Sequence, residues 1–282
     1  MSRRRRKKKN RYVWKVILCL TLALIIAIAG MMICSISAYK KESEMIPYSG
    51  EEYEYHNYDW SNLEWNGSLL SYEDENYTSL QGIDVSAHQQ EIDWEQVRNA
   101  GIDFAFIRVG YRGYEYGFVN DDDYFEENME GAAENGIAIG VYFFSQATSV
   151  VEAGEEAEYV ISRLKDYDIQ LPVVFDMEEA GADGSSGRAA NLDRIQKTQM
   201  AVTFLNCIRD AGYTPMIYNS SKLFEKYFDL DYLQDYEFWV ADYDDHPKYD
   251  YHFTVWQYTS SGYIDGVDTR CDMDLMLVPK NE

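Results

Sequence analysis

Hydrophobic positions along the chain fall into three regimes. Residues 16–38, VILCLTLALIIAIAGMMICSISA, form an uncharged apolar run of 23 residues. At about 1.5 Å per residue, a helix over that run spans roughly 34 Å, enough for a bilayer core of ~30 Å. Residues 42–80 show neither a helical nor a strand period. From Gln81 onward, short apolar runs alternate with longer amphipathic stretches. The runs predict strands at 82–86, 104–110, 137–145, 171–178, 215–219, 238–243, 254–259 and near 271–277. Helices are expected over 94–100, 122–134, 150–167 and 192–211, with Gly101, Gly136 and Gly212 just beyond three of them as stop signals.

Strand–helix alternation predicts a parallel sheet, and eight strands predict a closed barrel. After the strand at 215–219 only short turns or helical fragments separate the runs. The expected fold class is therefore α/β: a TIM-like β/α barrel with eight strands and a reduced helix set, preceded by an N-terminal transmembrane helix.

Charge sharpens these divisions. The chain has 282 residues, 49 acids and 25 bases, a formal net charge of −24. Nine of the bases lie within residues 1–15, in the run RRRRKKK with Arg11 and Lys15, where there is no acid. A basic block abutting an apolar run predicts a cytoplasmic tip (1–15) and a single-pass span (16–38). The apolar run is longer than a signal-peptide core, and Ile36-Ser37-Ala38 lacks the small residue a cleavage site needs. A retained anchor is therefore expected rather than a removed signal. The remaining chain would then face outward at the cell membrane.

Residues 42–282 hold 14 bases against 49 acids, a net −35. Such a body repels phosphate backbones, which argues against nucleic-acid binding. Within the segment 39–80, residues 42–80 carry ten acids, no Lys or Arg and eight Tyr or Trp in irregular order, as in EEYEYHNYDWSNLEW. Charge repulsion predicts an extended stalk there, although its aromatics could instead dock on the domain or bind wall polymers. The domain itself is expected over 81–282. Cys19 and Cys34 fall in the span. A disulfide between Cys207 and Cys271 is allowed by an outside location but not required by their spacing. No CxxC or His-rich cluster suggests a metal site.

In such barrels chemistry sits at strand ends. The polar residues there are Asp84, the pair Asp176 and Glu178 in VVFDMEE, and Asp272, with Gln257 nearby. An i, i+2 spacing puts both members of the pair on one side of a strand. Two carboxyls held close and away from water push one pKa upward. They then supply a proton donor beside a charged stabiliser, as glycosidic cleavage requires. Each carboxyl alone could equally be a helix cap, a turn or solvated surface; it is their combination across three strands that points to a site. Tyr142, Tyr218, Trp239, Trp256 and Tyr258 lie near strand ends, where aromatic faces can hold sugar rings or simply fill the core.

The segments GIDVSAHQQEIDW, FAFIRVGYRGY, GIAIGVYFFSQA, LPVVFDMEE, GYTPMIYNS, FWVADY and VWQYTSSGYIDGVDTRCDMD occur in the order seen in family 25 glycoside hydrolases, the N-acetylmuramidases or lysozymes. The resemblance covers about residues 81–278. It implies a flattened eight-stranded β/α barrel and hydrolysis of the β-1,4 bond between N-acetylmuramic acid and N-acetylglucosamine in peptidoglycan glycan strands, without a cofactor. It makes Glu178 the general acid and Asp176 its electrostatic partner or base. Asp84 and Asp272 become supporting groups, and Tyr142, Tyr218, Trp239 and Trp256 subsite residues. Three positions depart from the family's closing pattern: Thr269 stands for Gly, Cys271 for Val and Asp274 for Asn. The alternatives are an N-acetylglucosaminidase or chitinase-like glycosidase, and a wall-binding anchor without activity.

Overall fold

The computed structural model describes residues 53–178 and 187–280. The expected tip and transmembrane helix, 1–15 and 16–38, lie outside the described residues, as do residues 39–52 of the expected stalk. No helix among the described residues is long and apolar enough to cross a membrane.

The described chain opens with a hairpin, β1 (Leu63–Asn66) and β2 (Leu69–Tyr72). It continues through β3 (Tyr77–Val85), α1 (Trp94–Asn99), β4 (Phe104–Arg112), β5 (Val119–Asp121), α2 (Phe125–Glu134) and β6 (Ala138–Phe144). Next come α3 (Val150–Leu164), β7 (Val173–Asp176), α4 (Arg194–Asp210), β8 (Pro215–Ser220), α5 (Ser221–Tyr227), β9 (Glu237–Ala241), β10 (Val255–Gly262) and β11 (Cys271–Pro279). Strands β3, β4, β6, β7, β8, β9, β10 and β11 close on themselves through the β3–β4 pairing, and β5 is appended to β4. The helices thin out after β8, as the sequence predicts.

One expectation needs correction. β11 runs antiparallel to both β10 and β3, whereas the alternation predicts a wholly parallel sheet. The reason is the short link between β10 and β11: a parallel return needs a crossover of a dozen or more residues, while an antiparallel one needs only a turn.

Period-two alternation assigns each strand residue to the barrel interior or to the layer under the helices. In β4, Phe104 and Phe106 point inward, while Ala105, Ile107 and Val109 pack outward. Val174, Met216, Trp239 and Val255 complete the interior. Gly82 and Gly140 make room for this filling. A Cβ on Gly82 would stand 2.1 Å from the Phe104 ring, and one on Gly140 2.4 Å from that of Phe106.

The expected stalk is shorter than residues 39–80. Tyr58, Leu70 and Tyr72 are buried in the main core, and Tyr58 Oη donates to Phe253 O at 2.6 Å. Tyr55 bridges Tyr251, and His252 N donates to Glu54 O at 2.8 Å. Residues 53–72 thus dock on the segment linking β9 to β10, where no helix among the described residues covers the sheet. The aromatic density serves this docking, and its irregular spacing reflects single bridges rather than a regular strand.

Candidate active site

The interior alternation carries straight on into the site. Beyond Gly82 the next inward residue of β3 is Asp84; beyond Phe106 on β4 comes Arg108; beyond Gly140 on β6, Tyr142. Beyond Val174 on β7 come Asp176 and then Glu178, and beyond Met216 on β8, Tyr218. All of these, with Phe144, Trp239, Gln257 and Asp272, line one cavity of about 190 Å³ at the mouth of the barrel. Register places Asp272 directly opposite Asp84, and Asp176 beside both Phe144 and Tyr218. Because β11 is antiparallel, Asp272 reaches this end from the start of its strand.

The four carboxylates expected from the sequence are therefore brought together. Of the four expected aromatic residues, Tyr142, Tyr218 and Trp239 line the cavity and Trp256 does not. On β10 the inward residues are Val255 and Gln257, so Trp256 points to the outer layer. There its ring lies 5.9 Å from Trp60 and its Nε1 donates to Asp242 O at 2.7 Å. Trp239 is a floor more than a platform. It stacks on Phe106 at 4.6 Å, and its Nε1 donates to Asp274 Oδ1 at 2.9 Å.

Three further residues complete the site. Gln257 Nε2 donates to Asp84 Oδ2 at 2.7 Å, while its Oε1 accepts from Tyr218 Oη at 2.9 Å and Tyr243 Oη at 2.7 Å. Arg108, whose Nε donates to Asp122 Oδ2 at 2.7 Å, is the cavity's cation. Asp274 is fully buried behind Asp84 and Trp239. Gln257 was legible as a polar strand-end residue and Asp274 as a departure from the family pattern. Arg108 gave no signal beyond one basic residue in an apolar run.

Backbone clamps fix the pair on β7. Ser145 N donates to Asp176 O at 2.7 Å. Asn219 Nδ2 donates to Met177 O at 2.9 Å, and Gln146 Nε2 to Glu178 O at 3.0 Å. Asn219 and Gln146 are both fully buried, so the carboxyls they aim have little freedom to turn away.

Burial dominates the electrostatics. It raises Asp176 well above the usual carboxylate range, helped by the charge of Glu178 and by a hydrogen bond shared with it, while Arg108 opposes the shift. Burial likewise pushes Glu178 up to about 7, with Asp272 adding and the Asp176 hydrogen bond opposing. Asp272 is pushed up to about 6, again by burial. Asp84 rises through burial and then the charges of Asp272 and Asp274. The cluster therefore holds protons at neutral pH, as like charges in a dry site must. It is a proton-donating arrangement with an adjacent anion.

Asp274 rises through burial and then the charge of Asp272. A carboxyl whose folded pKa is raised supports the fold fully below its unfolded pKa and costs stability as pH climbs through the folded value. Asp274→Asn keeps an acceptor for Trp239 and removes that cost. The variant should gain about 2–4 °C in Tm at pH 8, equivalent to about 1 kcal/mol, and nothing near pH 4. Thermal scans at the two pH values check this; an equal change at both would contradict it.

Among the described residues no group of His, Cys, Asp and Glu is arranged to hold a metal ion. Cys271 is buried, its Sγ donating to Asp84 O at 3.8 Å, and no disulfide joins it to Cys207 on α4.

With this geometry in place, comparison with known proteins is informative. The profile of Glycosyl hydrolases family 25 matches residues 83–267. The chain is 28% identical over 206 residues to the uncharacterized protein YegX of Escherichia coli (strain K12), covering 70% of this chain and 69% of that one. It is 20% identical over 196 residues to an autolytic lysozyme of Clostridium acetobutylicum, covering 69% of this chain and 55% of that one. Among solved structures it resembles the modular autolysin LytC of Streptococcus pneumoniae with a TM-score of 0.63 and 25% identity, covering 71% of this chain and 47% of that one. LytC has also been solved with a synthetic peptidoglycan ligand. The chain thus spans about half the length of these two lytic proteins.

Proposed function

Because this chain belongs to the glycosyl hydrolases of family 25, we propose that it cleaves the β-1,4 bond between N-acetylmuramic acid and N-acetylglucosamine in peptidoglycan. The observation that carries the reading is the convergence of Asp84, Asp176, Glu178 and Asp272 in one cavity at the barrel mouth. The resemblance to an autolytic lysozyme, and to an autolysin solved with a peptidoglycan ligand, supports the substrate class.

The proposed sequence of events follows from the charges. Glu178, protonated below about pH 7, gives its proton to the bridging oxygen as the bond to the anomeric carbon breaks. The carboxyl pair and Asp272 balance the positive charge that develops on the sugar ring. Water adds to the anomeric carbon and returns a proton to the carboxyl cluster. Arg108 steadies the ionised form of Asp176, and Gln257 ties Asp84 to Tyr218. Tyr142 and Tyr218 flank the ring, and Trp239 closes the floor. Trp256, on the outer face of β10, does not line this cavity. The identity of the newly formed reducing sugar tests the bond assignment.

The same reading places the enzyme at the cell membrane as a single-pass protein. Residues 1–15 would be cytoplasmic and residues 16–38 the anchor. The aromatic docking of 53–72 would leave about residues 39–52 as the tether. The apolar length and basic flank of the N-terminal segment support this. Release of the full-length chain from membranes by alkaline carbonate would remove the anchor from the account.

A further inference from the structure

The β1–β2 hairpin lies outside the segment matched by the family profile, and it carries an unusual feature. Trp65 is 64% exposed on a hydrogen-bonded hairpin. Its strand pairs in register with β2, Trp65 facing Leu70, which is buried. The turn uses Gly67 at φ +67°, where a side chain would be strained. The Trp65 ring meets Tyr258 edge-on at 5.9 Å, which sets its orientation while leaving a face open. Nothing in the fold requires an indole there.

Trp65 forms one wall of a groove of about 560 Å³ whose other side carries Tyr243, Asp244, Asp245, His246 and Lys248. Tyr243, 55% exposed, lines this groove and reaches a residue of the active-site cavity, Gln257. Its Oη donates to Gln257 Oε1 at 2.7 Å, and Gln257 in turn holds Asp84. The groove is thus tied to the catalytic cavity through the Tyr243–Gln257 hydrogen bond. Its polar groups carry both signs, and Lys248 pairs with Asp244. That mixture suits a ligand rich in hydroxyl and amide groups, and the open indole suits the apolar face of a pyranose ring.

Resting on the muramidase reading above, we propose that the hairpin adds a carbohydrate subsite to the barrel, in which Trp65 and Tyr243 hold the glycan strand where it leaves the catalytic cavity. The ligand is the strand itself, and the effect is a preference for long strands over short ones.

The test uses the full-length chain in detergent, with glycan strands stripped of stem peptides, either about twenty disaccharides long or only two. Trp65→Ala should raise KM for long strands about tenfold, or ~1.4 kcal/mol, with kcat within about twofold and KM for short strands little changed. Trp65→Phe should recover most of the loss, which a merely structural role for the hairpin would not predict. An unchanged KM for long strands in Trp65→Ala would overturn the subsite. If the wild-type chain cleaves neither strand, the muramidase reading fails. Calorimetric titration with the long strand then decides the subsite by itself: weaker binding by Trp65→Ala supports it, and equal binding overturns it.

Discussion

Replacing Glu178 by Gln should lower peptidoglycan hydrolysis by about 10²–10⁴-fold, the usual worth of a positioned general acid, while glycan binding persists. The amide keeps the size and the clamp from Gln146 but carries no transferable proton. The pH profile gives the finer signature. Burial pushes Glu178 up to about 7, so it is protonated and neutral below that pH and loses the proton above. Asp272, pushed up to about 6 by burial, gains a proton as the pH falls below that value. Wild-type kcat/KM should therefore peak between about pH 6 and pH 7 and decline on both sides. These limbs belong to the coupled cluster as a whole. In the Gln variant the residual activity should lose the alkaline limb. Unchanged turnover, or an alkaline limb that survives the substitution, would take Glu178 out of the acid role.

Arg112→Ala should be the most damaging single substitution to the fold outside the barrel interior. Arg112 is buried, with Nε 2.6 Å from Glu156 Oε1. Its Nη1 donates to Gly117 O at 2.8 Å and its Nη2 to Glu152 O at 3.0 Å, tying the turn after β4 to α3. Glu156 is wholly buried and also accepts from Ser145 Oγ at 2.7 Å. Burial outweighs these partners and pushes Glu156 up to about 7. Removing the arginine strands a buried carboxylate, which costs about 3–5 kcal/mol. The cost depends on pH with a definite sign. Without Arg112 the Glu156 pKa rises further, so the side chain is neutral and cheaply buried at pH 5 but must be stranded or protonated at pH 8. Urea denaturation should show a clearly larger loss at pH 8 than at pH 5. A loss below about 1 kcal/mol at both would mean that the pair is not structural. Because Ser145 also holds Asp176 O, the damage should reach the active site before the protein unfolds.

Much of this architecture is legible in the sequence, for reasons that are local. FAFIRVG is a short apolar run ending in glycine, so β4 is legible as a buried strand, although a register shift between Arg108 and Gly110 interrupts its alternation. Asp84 and Asp176 are readable as site residues because each occupies the next inward position after a glycine or an apolar residue, and Glu178 follows Asp176 at i, i+2. Trp256 shows the limit of that reasoning. Its nearness to a strand end is plain, but the parity of β10 is set by Val255 and Gln257, and parity decides which face a side chain joins. The direction of β11 rests on connection length rather than on any residue pattern. Arg108 stayed hidden because one basic residue in an apolar run looks the same whether it points to solvent or into a charged cavity. The docking of residues 53–72 is tertiary: Tyr58 and Trp60 pack against Phe253 and Trp256, partners some two hundred residues away that leave no local period.

Of the three departures from the family's closing pattern, Asp274 bears most directly on the site. Asp274 adds a carboxyl where the resemblance expects Asn. It is buried against Trp239 with Asp84 and Asp272 nearby. The chain therefore holds one more protonatable group behind its site than the pattern requires, and the raised values of Asp84 include that charge.

The central claim concerns which bond is cut, and one measurement addresses it directly. Purified peptidoglycan is digested with the chain, the new reducing ends are reduced with borohydride, and the resulting amino sugar alcohol is identified. Cleavage between N-acetylmuramic acid and N-acetylglucosamine predicts muramitol. Glucosaminitol, or no new reducing ends at all, would contradict it.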